Sequence, residues 1–171
     1  LQLLSQAAGT ELEPYPIDVA AAHLNIYAGG RRPIAFHSDG AAFVELIPLD
    51  CDANDEAATL VFRGERDTGL ALLRSPETHA RVAAQVAQIP HVPGASVLLQ
   101  GRRLLHTGSV TARNRILLVL PLRSEQEPWK DDNTIARLAM DYKSEEFLAE
   151  WVEDELRRKL PAYRRSTSTS P

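Results

Sequence analysis

The chain holds a single cysteine, Cys51, among its 171 residues. That excludes an intrachain disulfide and a zinc knuckle built on paired thiolates. Nothing around Cys51 marks a thiol of lowered pKa, so it is not expected to be a nucleophile. A reducing cytosol is the default compartment. No apolar run approaches the roughly 20 residues that span a bilayer, so no membrane partner is expected. The chain opens LQLLSQAAGTELEPYP, without a basic leader segment and without Met. No secretory signal is read there, and the chain is expected to be a processed form or a fragment. A basic surplus is also missing. Lys and Arg number 19 against 23 Asp and Glu, the net charge is -4 and the pI is near 5.7. Such a chain has no basic face to exchange counterions with phosphates, which argues against a nucleic-acid partner. No internal repeat is present. The hydrophobic fraction of 44% and charged fraction of 25% are those of a globular protein with one core.

Short strand signals fill the first 122 residues. His23-Leu24-Asn25-Ile26-Tyr27 reads as a strand ending at Gly29-Gly30. Further strands are expected over residues 34–37, 43–49, 58–62, 70–73, 96–99 and 114–120, with a short strand and turn over 104–108. Pro48 suggests an edge or a strand end. A helix is expected over 75–88, with Ser75 as cap, Pro76 in the first turn and Val82 and Val86 at i, i+4. A polar loop covers 50–56 and a linker 124–129. Helices then follow over 134–142 and 144–160. The second has Ser144 as cap, Glu145 and Glu146 in its first turn, and Arg157, Arg158 and Lys159 in its last. Its apolar face of Phe147, Leu148, Trp151, Val152 and Leu156 needs a partner. Either the outside of the β core or a second subunit would serve, the latter giving a homodimer through the C-terminal helices. The expected organisation is a core over 1–122, a helical extension over 123–165 and a disordered tail over 166–171. The fold class is mainly β with flanking helices, a sandwich or barrel.

Of five histidines, two sit in informative settings. His37-Ser38-Asp39 sets an imidazole and a carboxylate two residues apart, on one face if the segment is a strand. His106, between an apolar segment and Gly108, is the best candidate for a third ligand. Two histidines and one carboxylate leave three positions open on an octahedral ion, the arrangement that suits non-haem Fe(II) and oxygen activation. Arg115 follows His106 by nine residues at the head of an apolar strand. A buried Arg there is costly unless it meets an anion, and a guanidinium forks naturally around a carboxylate. Arg113 is its rival, because alternation along a strand does not separate 113 from 115. His23, His79 and His91 lack a partner at ligand spacing and read as surface or loop residues. Trp129 and Trp151 read as packing residues.

Tyr27, His37-Ser38-Asp39, His106 and Arg115 together resemble the motif set of the Fe(II)/2-oxoglutarate-dependent dioxygenase superfamily. The stretches Leu24-Asn25-Ile26-Tyr27-Ala28-Gly29-Gly30, Pro93 to Leu99 and Gly101 to Val110 are similar to its prolyl-hydroxylase-like and phytanoyl-CoA-hydroxylase-like branches. The resemblance covers roughly residues 24–122 and is specific in order and spacing. It implies a double-stranded β-helix (jelly-roll) core. It also implies Fe(II) held by His37, Asp39 and His106, and 2-oxoglutarate bound by Arg115 with Tyr27 and Asn25 lining its pocket; Thr107, Ser109 and Arg113 are weaker assignments. Oxygen would be consumed, succinate and CO2 released, and a small molecule such as an amino acid or a specialised metabolite hydroxylated. Family halogenases leave the carboxylate position as Gly or Ala, so Asp39 implies a hydroxylase or related oxidase. Two other classes stay open. One is a cupin-like metal enzyme without 2-oxoglutarate, although the chain has no His-x-His. The other is a non-catalytic jelly-roll interaction module.

Overall fold

The computed structural model describes residues 1–31, 33–52, 56–124, 126 and 133–168. Trp129 and most of the linker over 124–129 lie outside these residues, as do Ala53, Asn54 and Asp55 of the polar loop. The described chain is a mixture of helices and two antiparallel sheets. The first sheet is built around β8 (Arg115–Arg123). β1 (Glu13–Pro14) and β2 (His23–Tyr27) pair along one edge of β8 and β3 (Phe43–Asp50) along the other, with β6 (Val97–Leu99) outside β3. The second sheet has the order β5-β4-β7, from β5 (Val86–Pro90), β4 (Ala58–Phe62) and β7 (His106–Gly108).

The strand period of two sorts the residues. Arg115, Leu117 and Val119 are buried along β8, and Leu122 and Arg123 are buried at its end. The partners of the first three across β2 are Tyr27, Asn25 and His23, while Leu24 and Ile26 face outward and are exposed. Val44 and Leu46 of β3 join Val61, Leu99, Leu117 and Val119 in the main core. Pro48 lies beyond the last β6 partner, Leu46, and next to a register shift against β8. The ladder is already interrupted there, so a residue without an N–H costs little.

Three expectations are corrected. Residues 34–37 form no strand; only His37 makes a bridge, to His106. Pro33 has no N–H to give a ladder, and the Ile34 carbonyl is taken by the Thr107 hydroxyl at 2.5 Å. Residues 70–73 belong to a helix, α3 (Arg66–Leu73), whose Leu70, Leu72 and Leu73 pack on Phe62, Val82 and Leu105. A four-residue apolar run cannot by itself separate helix from strand. The helix expected over 75–88 is shorter. A 3-10 turn at Pro76–Thr78 leads into α4 (His79–Ala83), and the chain then turns into β5, where Val86 pairs with Phe62. The open edge of β4 overrides the helical spacing of Val82 and Val86.

Helices flank the sheets. α1 (Gln2–Ala8) and α2 (Asp18–Ala21) precede β2. α5 (Ile135–Asp141) starts at Thr134, whose side chain accepts from the Arg137 N–H. α6 (Ser144–Ser168) starts where the Lys143 N–H donates to Glu146 Oε2 at 3.2 Å, so Ser144 is its first residue rather than its cap, and it runs past Ser166. Among the described residues no helix is long and apolar enough to cross a membrane.

α6 docks through Phe147, 1% exposed, and Trp151, both packed on the main core. Leu148, Val152 and Leu156 of the expected apolar face remain exposed. A buried ion pair completes the docking. Arg123 at the end of β8 donates to Asp154 at 2.5 Å and also meets Glu13, while Arg158 Nε lies 3.0 Å from the second Asp154 oxygen in an ion pair. Removing one partner of a buried pair leaves a charge uncompensated. Asp154→Ala is therefore expected to cost about 3 kcal/mol in urea denaturation. Glu153→Ala breaks only an exposed i, i+4 pair with Arg157 and is expected to cost less than about 0.5 kcal/mol.

Candidate functional site

His37 and His106 face each other across a two-bond bridge. The His37 N–H donates to the His106 carbonyl at 2.9 Å, and the His106 N–H donates back at 2.8 Å. The bridge sets the two rings side by side, with centroids 4.5 Å apart. Asp39 is carried to the same point by its own N–H, which donates to the Gly101 carbonyl at 2.9 Å. A Cβ at Gly101 would stand 2.5 Å from Asp39 Oδ2, so glycine there leaves the carboxylate its room.

Nε2 of His37 lies 3.5 Å from one Asp39 oxygen, and Nε2 of His106 lies 3.4 Å from the other. One ligand atom from each of the three residues lies within 4.8 Å of the other two. The opposite ring nitrogens are engaged: Nδ1 of His37 meets the Ala35 carbonyl at 2.9 Å and Nδ1 of His106 the Leu104 carbonyl at 3.1 Å. A carbonyl only accepts, so each Nδ1 carries a proton, which leaves Nε2 of each ring as the nitrogen available to a metal. Two imidazole nitrogens and one carboxylate oxygen at one point are the donor set of a facial triad. The residues fit a divalent non-haem metal.

The electrostatics favour an ionised Asp39 and a neutral His106, while His37 holds its proton more tightly. Burial pushes the Asp39 carboxyl up, but the His37 hydrogen bond and the charges of His106, His37 and Arg137 outweigh it and hold the group below its ordinary range. Burial lowers His106, against a smaller opposing pull from Asp39. For His37 burial also lowers, but the Asp39 and Ala35 hydrogen bonds carry the net shift upward.

Arg115 is 1% exposed. Its guanidinium stacks over the Tyr27 ring, 4.4 Å from the centroid, and donates to the hydroxyl and carbonyl of Ser109 at 3.2 and 2.9 Å. Tyr27 is opposite Arg115 in the β2–β8 ladder, which explains the stacking. A Cβ at Gly108 would overlap Arg115 Nη2. Arg113 is separated from it by the strand's beginning: β8 starts at Arg115, so alternation does not reach back to 113. The Arg113 side chain is 73% exposed and pairs with Asp52, and it is no rival for the buried position. Asn25 lines the cavity with Tyr27, two residues further along β2.

One cavity of about 440 Å³, bounded by both sheets and by α5, holds the triad and residues that pack against Arg115. His37, Asp39 and His106 line it, as do Tyr27, Asn25, Thr107 and Gly108. Thr59, His91 and Arg137 are polar lining residues that sequence reasoning did not single out as functional. Arg137 had no motif to mark it; the Thr134 cap aims the first turn of α5 at the site, and Arg137 Nη2 donates to the Ser38 carbonyl at 2.5 Å. His91 is not the surface residue expected from its spacing. It is 6% exposed, and its Nε2 is 2.8 Å from the Thr59 hydroxyl. His79 is exposed, as expected, and His23 is exposed at the cavity wall. Cys51 Sγ donates to the His91 carbonyl at 3.6 Å. Burial pushes that thiol up, with Asp50 adding to the effect, so it is unactivated, as its surroundings in the sequence suggest.

Burial, then the Arg115 charge, lowers His91 from 6.5 to about 4. Between those values the unfolded chain binds a proton that the folded chain does not, so folded stability is complete above pH 6.5 and is lost as pH falls toward 4. The loss is expected to reach at most about 3 kcal/mol. Urea denaturation of the wild type and of His91→Asn across this window measures it; the variant is expected to show a smaller acid loss.

No family model matches the chain, and no curated protein matches it. Seven chains of solved structures do. One is an N-substituted L-amino acid dioxygenase from Burkholderia ambifaria AMMD, with a TM-score of 0.47 and 15% identity over 63% of this chain and 49% of that one. The same dioxygenase in complex with alpha-KG matches with a TM-score of 0.49 and 17% identity over 74% and 58%. The chain thus spans about half the length of these structures.

Proposed function

We propose that the chain is an Fe(II)- and 2-oxoglutarate-dependent oxygenase on a jelly-roll core, which hydroxylates an amino acid or another small metabolite with release of succinate and CO2. The observation that carries this reading is a single cavity with a facial triad, His37, Asp39 and His106, at one point and Tyr27 and Gly108, the residues against the Arg115 guanidinium, along its wall. When bound, Fe(II) and the oxo acid supply oxygen activation. The chain's own residues hold and orient them. His37 and His106 present Nε2 because Ala35 and Leu104 engage Nδ1. Asp39 supplies the anionic donor. Arg115 offers a buried fork for a carboxylate. A volume of about 440 Å³ suits a small substrate. The walls contributed by Leu46, Leu117, Val119 and Leu138 are apolar and keep water out of the reaction. Arg137, beside the triad, gives a substrate carboxylate an anchor.

The test is an anaerobic titration of the full chain with Fe(II) and 2-oxoglutarate, watching for a visible metal-to-ligand charge-transfer band. Succinate release in air is then followed with a panel of amino acids, led by the N-substituted L-amino acids for which the similar chains are named. The band is expected in the wild type. A folded wild type with no band would sink the reading and favour a metal enzyme without 2-oxoglutarate or a non-catalytic module.

A further inference from the structure

We infer that His91, its ring set by Thr59, forms with Arg115 the subsite that grips the far carboxylate of the oxo acid, His91 Nδ1 acting as a donor. This rests on the oxygenase reading above and adds two residues that reading leaves unused.

The sheet register sets the geometry. Across β4 and β7, Val61 pairs with His106 and Thr59 with Gly108. His106 is a triad member, and Gly108 is the residue whose missing Cβ makes room for Arg115 Nη2. Thr59 therefore lies on the rung of the carboxylate-binding guanidinium, two residues along from the rung of the triad. Two residues of antiparallel strand span about 7 Å, the reach of a five-carbon oxo diacid. His91 extends the same face. Its N–H donates to the Ala57 carbonyl at 2.8 Å, continuing the β4–β5 ladder by one rung, and Ile89, two residues earlier, packs on the main core. The alternation turns Ile89 and His91 inward together.

His91 also has an unfinished hydrogen-bond set. Nε2 meets Thr59, while Nδ1 is buried and has no partner among the described residues. A buried polar atom in a native structure ordinarily has one. With the Thr59 hydroxyl donating to Nε2, the ring proton sits on Nδ1 and is a donor. Burial, then the Arg115 charge, disfavours an ionised imidazole, and the ring stays uncharged at neutral pH. The subsite then combines one fixed charge with one neutral donor, which suits a single carboxylate. A group that carries a second negative charge would lack its second cation.

The test titrates Fe(II)-loaded, oxygen-free protein with 2-oxoglutarate and, separately, with 2-oxobutyrate, an oxo acid without a second carboxylate, reading the charge-transfer band. His91→Leu is expected to raise the half-saturating 2-oxoglutarate concentration about ten- to a hundredfold, the worth of a hydrogen bond to a charged group. Thr59→Val is expected to raise it about tenfold or less. His91→Asn, whose amide nitrogen can stand where Nδ1 stands, is expected to restore most of the binding. Half-saturation by 2-oxobutyrate is expected to be the same in all four proteins. Wild-type 2-oxoglutarate binding by His91→Leu overturns the inference, and so does equal weakening for both oxo acids. Should His91→Leu fail to fold, unchanged 2-oxoglutarate binding by Thr59→Val, nearly isosteric with the wild type, overturns it instead. A wild type that gives no band with 2-oxoglutarate overturns the oxygenase reading itself, and this inference with it.

Discussion

Asp39→Ala is expected to abolish both the charge-transfer band and turnover while leaving the fold intact. Its carboxylate is the one anionic donor of the triad and bridges Nε2 of His37 and Nε2 of His106. Loss of a mere outer-shell partner lowers metal affinity about 10–100-fold, so loss of a direct ligand is expected to exceed that range. The backbone is spared, because the bond that carries residue 39 to the site is its N–H to the Gly101 carbonyl, which alanine keeps. Equilibrium dialysis against Fe(II), with circular dichroism as a fold check, is the measurement. His106→Ala should behave alike, since its bridge to His37 is also made by the main chain. A folded Asp39→Ala that binds Fe(II) as tightly as the wild type would remove the metal centre from consideration.

Arg115→Leu is expected to raise the 2-oxoglutarate concentration for half-saturation by at least about thirtyfold, since truncating one partner of a buried charged pair costs about 2–5 kcal/mol. Fold stability should move little, the lost bonds to Ser109 and the lost Tyr27 stacking being offset by removal of the charge. Replacing a buried charge by an apolar side chain removes its desolvation penalty, and Leu117 and Val119 on the same face of β8 are already apolar. The two readouts therefore diverge: 2-oxoglutarate affinity falls while the melting temperature holds. A structural role alone would move them together. Gly108→Ala is the companion variant. It keeps the guanidinium but puts a methyl where Nη2 lies, so it is expected to weaken 2-oxoglutarate binding with Fe(II) binding unchanged. Fe(II) dialysis and oxo-acid titration on the same sample separate the two.

Much of this molecule was legible in its residues. Strands with a turn at each end and a β-branched or alternating body, His23–Tyr27 and Ala58–Phe62, appear with the expected bounds, because local propensity and tertiary pairing agree there. The helix after Ser144 likewise follows its charges and apolar spacing. His37, Asp39 and His106 were legible as a set because ligand chemistry restricts the residue types that serve. Short apolar runs were not. Residues 70–73 are equally apolar in a helix or a strand, and their packing against Phe62 and Leu105 decides for helix. Val86 suits a helix by spacing and a strand by pairing, and the edge of β4 decides for strand.

The choice between Arg113 and Arg115 was also tertiary. Both are arginines on one parity, and only the start of β8 and the room left by Gly108 bury one and leave the other in solvent. His91 carried no signal at all, since its partner Thr59 is 32 residues away and lies on another strand. The sequence by itself thus determined the chemistry on offer: two imidazoles, a carboxylate and a guanidinium in an order that a metal and an oxo acid would use. Tertiary structure alone decided which of the remaining polar groups share that cavity, because burial and cross-strand register are set by the packing of distant segments and leave no local mark on the chain.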